Sequence, residues 1–195
     1  MAFTTRPLGP ETWGDFAALA EAHHGVWEGC WCLGFHEEGA NGIHTPDERR
    51  ALKEARVRRG EAHAALVYEG GTCVGWCQFG PTTELPRIKH RKAYLEGQHR
   101  PPDWRITCFF VGRTHRHQGV AEAALVGALG EIARLGGGVV ESYPEDTASR
   151  TVSGSFLFNA TAALFERHGF RRDRRIGKHR WVVRRRVAAT RTPGA

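Results

Sequence analysis

Residues 105–121 read RITCFFVGRTHRHQGVA, and the reading of this stretch decides the fold. Arg105 to Val111 is dominated by aromatic and β-branched residues over a length that suits a buried strand. Gly112 to Gln118 is polar loop material. From Gly119 onward, Val120, Ala121, Ala124, Leu125, Ala128, Leu129, Ile132 and Leu135 fall on one helical face, and the glycines at 136–138 stop the helix. A helix that starts on glycine leaves backbone N–H groups unpaired and aimed at one spot, which suits a phosphate or pyrophosphate, and Arg116 adds a full positive charge. The loop is not a Walker sequence, because no Gly-Lys-Ser/Thr follows, and it lacks the GxGxxG spacing of a dinucleotide fingerprint. An ordinary strand-to-helix turn has the same local pattern, so the rest of the chain must decide between them.

Upstream, Phe3 to Leu8 predicts a first strand, and Gly9-Pro10-Glu11 starts a helix carrying Trp13, Phe16, Ala17, Ala20 and His24 at helical spacing. Residues 25–44, GVWEGCWCLGFHEEGANGIH, have no clean period and read as a loop too apolar to be a linker. Thr45, Pro46 and Glu48 announce a capping box and a helix ending near Gly60. Ala64–Glu69 and Thr72–Phe79 flank Gly70-Gly71, a hairpin signal that Pro81 closes. Thr82 to Asp103 is a polar, basic excursion with at most one helical turn, around Ala93. Downstream come a strand at Val139–Tyr143, a helix from Asn159 to His168 ended by Gly169, and strand material from Phe170 to Val187 broken near Gly177. This order describes a single α/β domain with a mixed central sheet flanked by helices.

Of the 195 residues, 41% are hydrophobic and 25% charged, the balance of one soluble globular domain, which excludes collagen-like, disulfide-scaffold and disordered classes. No apolar run is long enough to cross a membrane, and MAFTTRPLGP lacks the regions of a signal peptide, so the expected location is cytoplasmic. Five cysteines, at 30, 32, 73, 77 and 108, then read as reduced thiols. The net charge of +7 is concentrated: residues 171–195 hold ten Lys/Arg and one acid, while the first 170 residues are slightly negative. In the final strand Arg180, Arg184 and Arg186 alternate with Trp181, Val183 and Val187, which predicts arginines toward solvent and the others packed.

The stretch around Arg116 resembles the pyrophosphate loop of the GNAT family of N-acetyltransferases, Gln/Arg-x-x-Gly-x-Gly/Ala. Arg116, Gly119 and Ala121 match it, and Val111 stands where the family's strand ends. Asn159, Ala162, Phe165, Gly169 and Phe170 follow the family's spacing for its last helix and final strands. The resemblance implies a GNAT domain over 1–187 followed by a basic tail, 188–195, with two splayed parallel strands, Arg105–Val111 and Val139–Tyr143, holding acetyl-CoA. The cofactor residues it implies are Phe110, Val111, Arg116, His117, Gln118, Gly119, Val120, Ala121 and Asn159. Amides of Phe110 and Val111 would lie at the thioester, and Asn159 would bond the cofactor, cap the last helix, or both. The implied reaction is acetyl transfer to a primary amine, on a small molecule or a protein, by direct attack in a ternary complex; a homodimer is compatible with it.

The sequence departs from the family at two positions. Arg105 stands where several members have a carboxylate base, and Phe165 where the usual tyrosine acid stands. Glu141 and Tyr143, two apart on the strand flanking the acetyl group, are the replacement candidates for proton transfer, ahead of Asp103, Glu84 and His36. Trp27, Trp31 and Phe35 read as lining of the acceptor pocket or cover of the core. No metal site is expected: Cys30, Cys32 and His36 have zinc-like chemistry, but Cys73 and Cys77 are about 13 Å apart on a strand, and buried thiols explain the set. Two other functions remain open at this point. One is a weakly catalytic acyl-CoA-binding regulator. The other is nucleic-acid binding by the basic strands, disfavoured because Trp181 alone offers a stacking platform there.

Overall fold

The computed structural model describes residues 3–26, 28–40, 45–148, 152–154 and 157–190, so Trp27 and the end of the basic tail lie outside the described residues. Those residues form a seven-stranded sheet: β1 Thr4–Pro7, β2 His63–Glu69, β3 Thr72–Pro81, β4 Trp104–Val111, β5 Gly138–Ser142, β6 Arg171–Arg175 and β7 Trp181–Val187. The spatial order is β1-β2-β3-β4-β5-β7-β6. Only β4 and β5 run parallel; the other neighbours are antiparallel. The helices are α1 Trp13–Glu21, α2 Pro46–Arg58, α3 Arg91–Glu96, α4 Val120–Arg134 and α5 Ala162–Arg167.

Local chemistry accounts for most boundaries. At α2 the Thr45 hydroxyl accepts the Glu48 N–H at 3.3 Å and the Glu48 carboxylate accepts the Thr45 N–H at 2.7 Å, the expected capping box. The first helix begins later than its Pro10 suggests, because Thr12 ties down the preceding turn, accepting from Gly9 N–H and donating to the Pro7 carbonyl. Strand alternation then sorts side chains into two cores. Ala65 and Val67 of β2, with Val74, Cys77 and Phe79 of β3, pack under the apolar face of α4, where Leu125 and Ile132 are fully buried. Burying each of these two side chains is worth about 1.5–3 kcal/mol. Leu66 and Trp76 point the other way, into a cluster with Trp13 and Phe16 of α1 and Trp31 of the following loop. Gly75 is required where α4 starts against β3: a Cβ there would lie 2.7 Å from both the Phe110 carbonyl oxygen and a Val120 methyl.

The feature that positions a site is the parting of β4 and β5. Their pairing covers only Trp104–Ile106 against Val140–Ser142. Beyond it, Gln78 of β3 opposes Cys108 while Phe79 opposes Ile106, so Thr107 is an extra residue, a bulge that turns the strand. The expected splay of these two strands is present.

Candidate functional site

The end of α4 nearest β4 has the geometry that suits an anion. Gly119 adopts φ +90°, which lets the loop turn directly into the helix, and no side chain caps it. The first helical bond runs from Ala123 N–H to the Gly119 carbonyl at 3.0 Å. The N–H groups of Val120, Ala121 and Glu122 precede it and project from the helix end. They face a cavity of about 490 Å³ that also takes in Phe109, Phe110, Val111, Arg116, His117 and Gly119. Of the nine expected cofactor residues, seven therefore share this cavity. Gln118 does not: its amide donates to the Thr114 carbonyl at 2.9 Å and fastens the loop.

Backbone parity sharpens which groups of β4 face the cleft. Gly112 N–H bonds the Val74 carbonyl of β3 at 2.8 Å, so Phe110, two residues earlier, also turns its amide to β3. The expected role of the Phe110 amide is thus corrected: the cleft-facing amides are those of Val111 and Phe109. Phe109 N–H bonds the Phe158 carbonyl at 2.7 Å, so the stretch before α5 lies against the parted edge. Asn159 is likewise corrected. It is buried, its amide donates to the Thr107 carbonyl and accepts from Arg180, and it does not line the cavity. Nor does it cap α5; Thr161 does, accepting from Leu164 N–H. Arg167, one turn along, faces the cavity and lies 3.7 Å from Glu122. Sequence reasoning passed over it, although a basic last turn on a helix beside an anion site was its signal.

The two proposed proton-transfer residues do not meet either cavity. Glu141 and Tyr143 do project to the same side of β5, but α3 and the segment before β7 seal that side. Tyr143 packs with Tyr94, Ile88, Ile176 and Val182, edge-on to the Tyr94 ring. Glu141 is completely buried, its nearest cation Arg184 at 3.7 Å, and burial raises its carboxyl above the ordinary range. Burial also drives the Tyr143 hydroxyl well up. Arg105 in the same cluster donates to the Leu85 carbonyl at 2.6 Å and to Tyr94. Asp103 accepts from Val139 N–H, and Glu84 grips His63 through its ring and backbone. Phe165 sits in the α4 core, edge-on to Phe109 and Phe170.

On the opposite side of the parted strands lies a second cavity, of about 460 Å³, lined by Cys30, Cys32, Gly34 and Phe35, by Arg87, Ile88 and Lys89, and by Cys108 and Phe158. Cys108 of β4 and Phe158 thus adjoin residues of the first cavity, Phe109 and Leu157, so the two spaces flank one strip of backbone. Phe35 stands in this wall, whereas Trp31 is buried in the core among Trp13 and Phe16. Among the described residues no group of three or more His, Cys, Asp or Glu is arranged to hold a metal ion.

The basic strands are less free than their composition suggests. Arg180 is buried, against expectation, and bonds the Tyr143 carbonyl, Asn159 and Glu145. The reason is that its side of the sheet is covered at this end, where Val182 is buried too. Arg172 pairs with Asp146 and Glu166, and Arg174 and Arg185 donate to the carbonyls of Tyr94 and His168. Arg186 is exposed, and Val183 and Val187 pack, as the alternation predicts.

Residues 22–152 match the model of the acetyltransferase (GNAT) family. No curated protein sequence matches the chain. Among solved structures it is similar to a histone acetyltransferase HPA2 and related acetyltransferase from Corynebacterium glutamicum, at 16% identity over all of both chains and a TM-score of 0.54. The Salmonella typhimurium protein yncA, solved with its cofactor acetyl-CoA, is 16% identical over 100% of this chain and 99% of that one, TM-score 0.53. An N-acetyltransferase from Staphylococcus aureus is 14% identical over 96% and 99%, TM-score 0.51. At these identities the likeness is one of fold.

Proposed function

The chain belongs to the GNAT acetyltransferase family, and from that premise we propose that it transfers an acetyl group from acetyl-CoA to a primary amine held in the second cavity. The observation that carries the reading is the pair of cavities on either side of the parted β4 edge, one ending in unpaired helix amides. Acetyl-CoA supplies an acyl group already activated as a thioester. The chain's own residues bind and orient it. The amides at the start of α4 and the Arg116 side chain hold the pyrophosphate, with Arg167 beside them. Val111 offers its N–H and carbonyl to the pantetheine arm as a neighbouring strand would. Phe109 N–H, once released from the Phe158 carbonyl, donates to the thioester oxygen as charge grows there, and Cys108 and Phe158 bound the space from which the amine attacks. This back-to-back arrangement supports direct attack within one ternary complex.

The test is a thermal-shift titration of the full chain with acetyl-CoA, followed by mass spectrometry of a primary-amine panel. Stabilisation by acetyl-CoA and an N-acetyl product are expected. No stabilisation at millimolar cofactor, on the order of 10³ above a micromolar Kd, sinks the proposal, because such an excess gives about 4 kcal/mol to any true binder.

A further inference from the structure

The second cavity is lined by cations and by no acid. Among the described residues its charged lining side chains are Arg87 and Lys89, and the rest of the wall is thiols, Gly34 and the apolar residues Phe35, Ile88 and Phe158. No aspartate or glutamate occurs among the residues outside the described ones. Both cations stand without a counter-charge. The Arg87 N–H bonds the Phe35 carbonyl at 3.2 Å, and Ile88 is buried in the cluster of Tyr94 and Tyr143, so this segment is anchored at the wall. The half-buried Arg87 guanidinium reaches only the Glu37 carbonyl, at 3.5 Å, and the exposed Lys89 ammonium stands 5.7 Å from the centre of the Phe158 ring. No carboxylate among the described residues pairs with either. Arg180 faces the same ring at 5.0 Å, but Glu145 neutralises it from 3.1 Å.

An alkylammonium entering such a wall is repelled, and a diamine or a lysine in a basic peptide more so, whereas an amine that brings its own oxyanion is drawn in. A guanidinium is a planar fork that matches a carboxylate with two parallel hydrogen bonds, and an ammonium adds a point charge. One carboxylate against two cations leaves a net positive charge, and that excess favours the neutral form of the acceptor's amine. The bias matters because no carboxylate or imidazole lines the wall to take the amine's proton. The span between the two ends is short. Phe158 carries the carbonyl that holds the Phe109 amide, at 2.7 Å, and its ring meets Lys89. Amine and anion therefore lie about one side chain apart, as they do in a free amino acid.

We propose that the acceptor is a small amino-acid-like molecule, a primary amine with a carboxylate a few bonds away on an apolar frame, and that Arg87 and Lys89 bind the carboxylate. The inference rests on the acetyl-transfer reading and names the substrate class of that site. Arg87 and Lys89 act in binding and specificity; they touch the carboxylate and take no proton. The apolar frame packs on Phe35, Ile88 and Phe158, and a cavity of about 460 Å³ suits a small molecule.

The experiment gives the full chain acetyl-CoA and matched acceptors: phenylalanine, leucine and methionine, each beside its carboxamide and its decarboxylated amine. For at least one frame, kcat/KM for the amino acid should exceed that for both neutral-ended partners by roughly 10- to 10²-fold, the worth of one charge-assisted contact. The carboxamide's ammonium is more acidic than the amino acid's, so its slower turnover is not an effect of protonation. Arg87→Gln combined with Lys89→Gln should raise KM for the amino acid by a similar factor with kcat little changed, bringing the three acceptors of that frame within about threefold of one another. Arg87→Glu should reverse their order, and the thermal shift with acetyl-CoA checks that each variant is folded. Equal turnover of all acceptors by wild type overturns the proposal, as does a double variant that slows all of them alike. Faster acetylation of a lysine-rich peptide than of any of these amino acids overturns it too. If wild type binds acetyl-CoA but acetylates nothing, the transfer reading falls, and isothermal titration with N-acetylphenylalanine and N-acetylleucine decides the anion pocket. Binding that the double variant loses upholds the pocket, and no binding to wild type at millimolar ligand overturns it.

Discussion

Replacing Gly119 separates the backbone and electrostatic demands of the anion site. At φ +90° and ψ 1° an L residue is strained, but a Cβ built there meets no heavy atom within 4 Å, so the cost of Gly119→Ala is conformational only. That cost is about 1–2 kcal/mol. For a chain of this size it lowers Tm by about 2–8 °C. Gly119→Glu carries the same backbone cost and adds a negative charge at the proposed pyrophosphate site. Two unit charges about 4 Å apart at an effective dielectric of about 20 repel by roughly 4 kcal/mol, close to 10³ in affinity. Solvent at the cavity mouth screens part of this, so a loss between about tenfold and 10³-fold relative to Gly119→Ala is expected. Differential scanning calorimetry without ligand gives the first quantity, and isothermal titration with CoA gives the second. If Gly119→Glu binds CoA within about threefold of Gly119→Ala, the amides of α4 do not hold the pyrophosphate and the reasoning fails.

Three further outcomes follow from named contacts. His36 is held from 6.5 down to about 2, so the folded state binds fewer protons than the unfolded one; its contribution is full above pH 6.5 and is lost as pH falls below it. By pH 5 the loss is about 2 kcal/mol, and His36→Gln should flatten the decline of Tm over pH 5–6.5; an unchanged slope refutes the assignment. Arg180→Met breaks a buried pair with Glu145, 3.1 Å apart, and orphans the Tyr143 carbonyl and Asn159, so urea denaturation should show a loss of about 3–5 kcal/mol. Phe165→Tyr restores the family's usual residue but puts a hydroxyl into the α4 core between Phe109 and Phe170; stability should fall by about 1–3 kcal/mol with no gain in acetylation rate, and a faster enzyme would falsify the core placement.

What was legible in the sequence is what local chemistry determines. The strand-loop-helix at 105–121, the capping box at Thr45 and the Gly70-Gly71 hairpin each carry their own signal within a few residues, and the anion site inherits it. The catalytic side was not legible, because it depends on which face of a strand another element covers. Glu141 and Tyr143 satisfy the period-two rule and do share a face, yet α3, drawn from a stretch that reads only as a polar excursion, closes that face. The stretch that runs through Glu145, Phe158 and Asn159 likewise buries Arg180, which strand alternation alone sends to solvent. Cys32 and Cys108 are 76 residues apart and meet only because the bulge at Thr107 sets the register of β4 while the loop after α1 folds back over β3. The bulge therefore does two things at once: it parts β4 from β5, opening an edge for a cofactor arm, and it sets Cys108 against the wall of the other cavity. A change that removed the bulge would couple the two losses, closing the cleft and drawing Cys108 away from the second cavity together, so CoA affinity by isothermal titration and stability by urea denaturation should fall in the same variant.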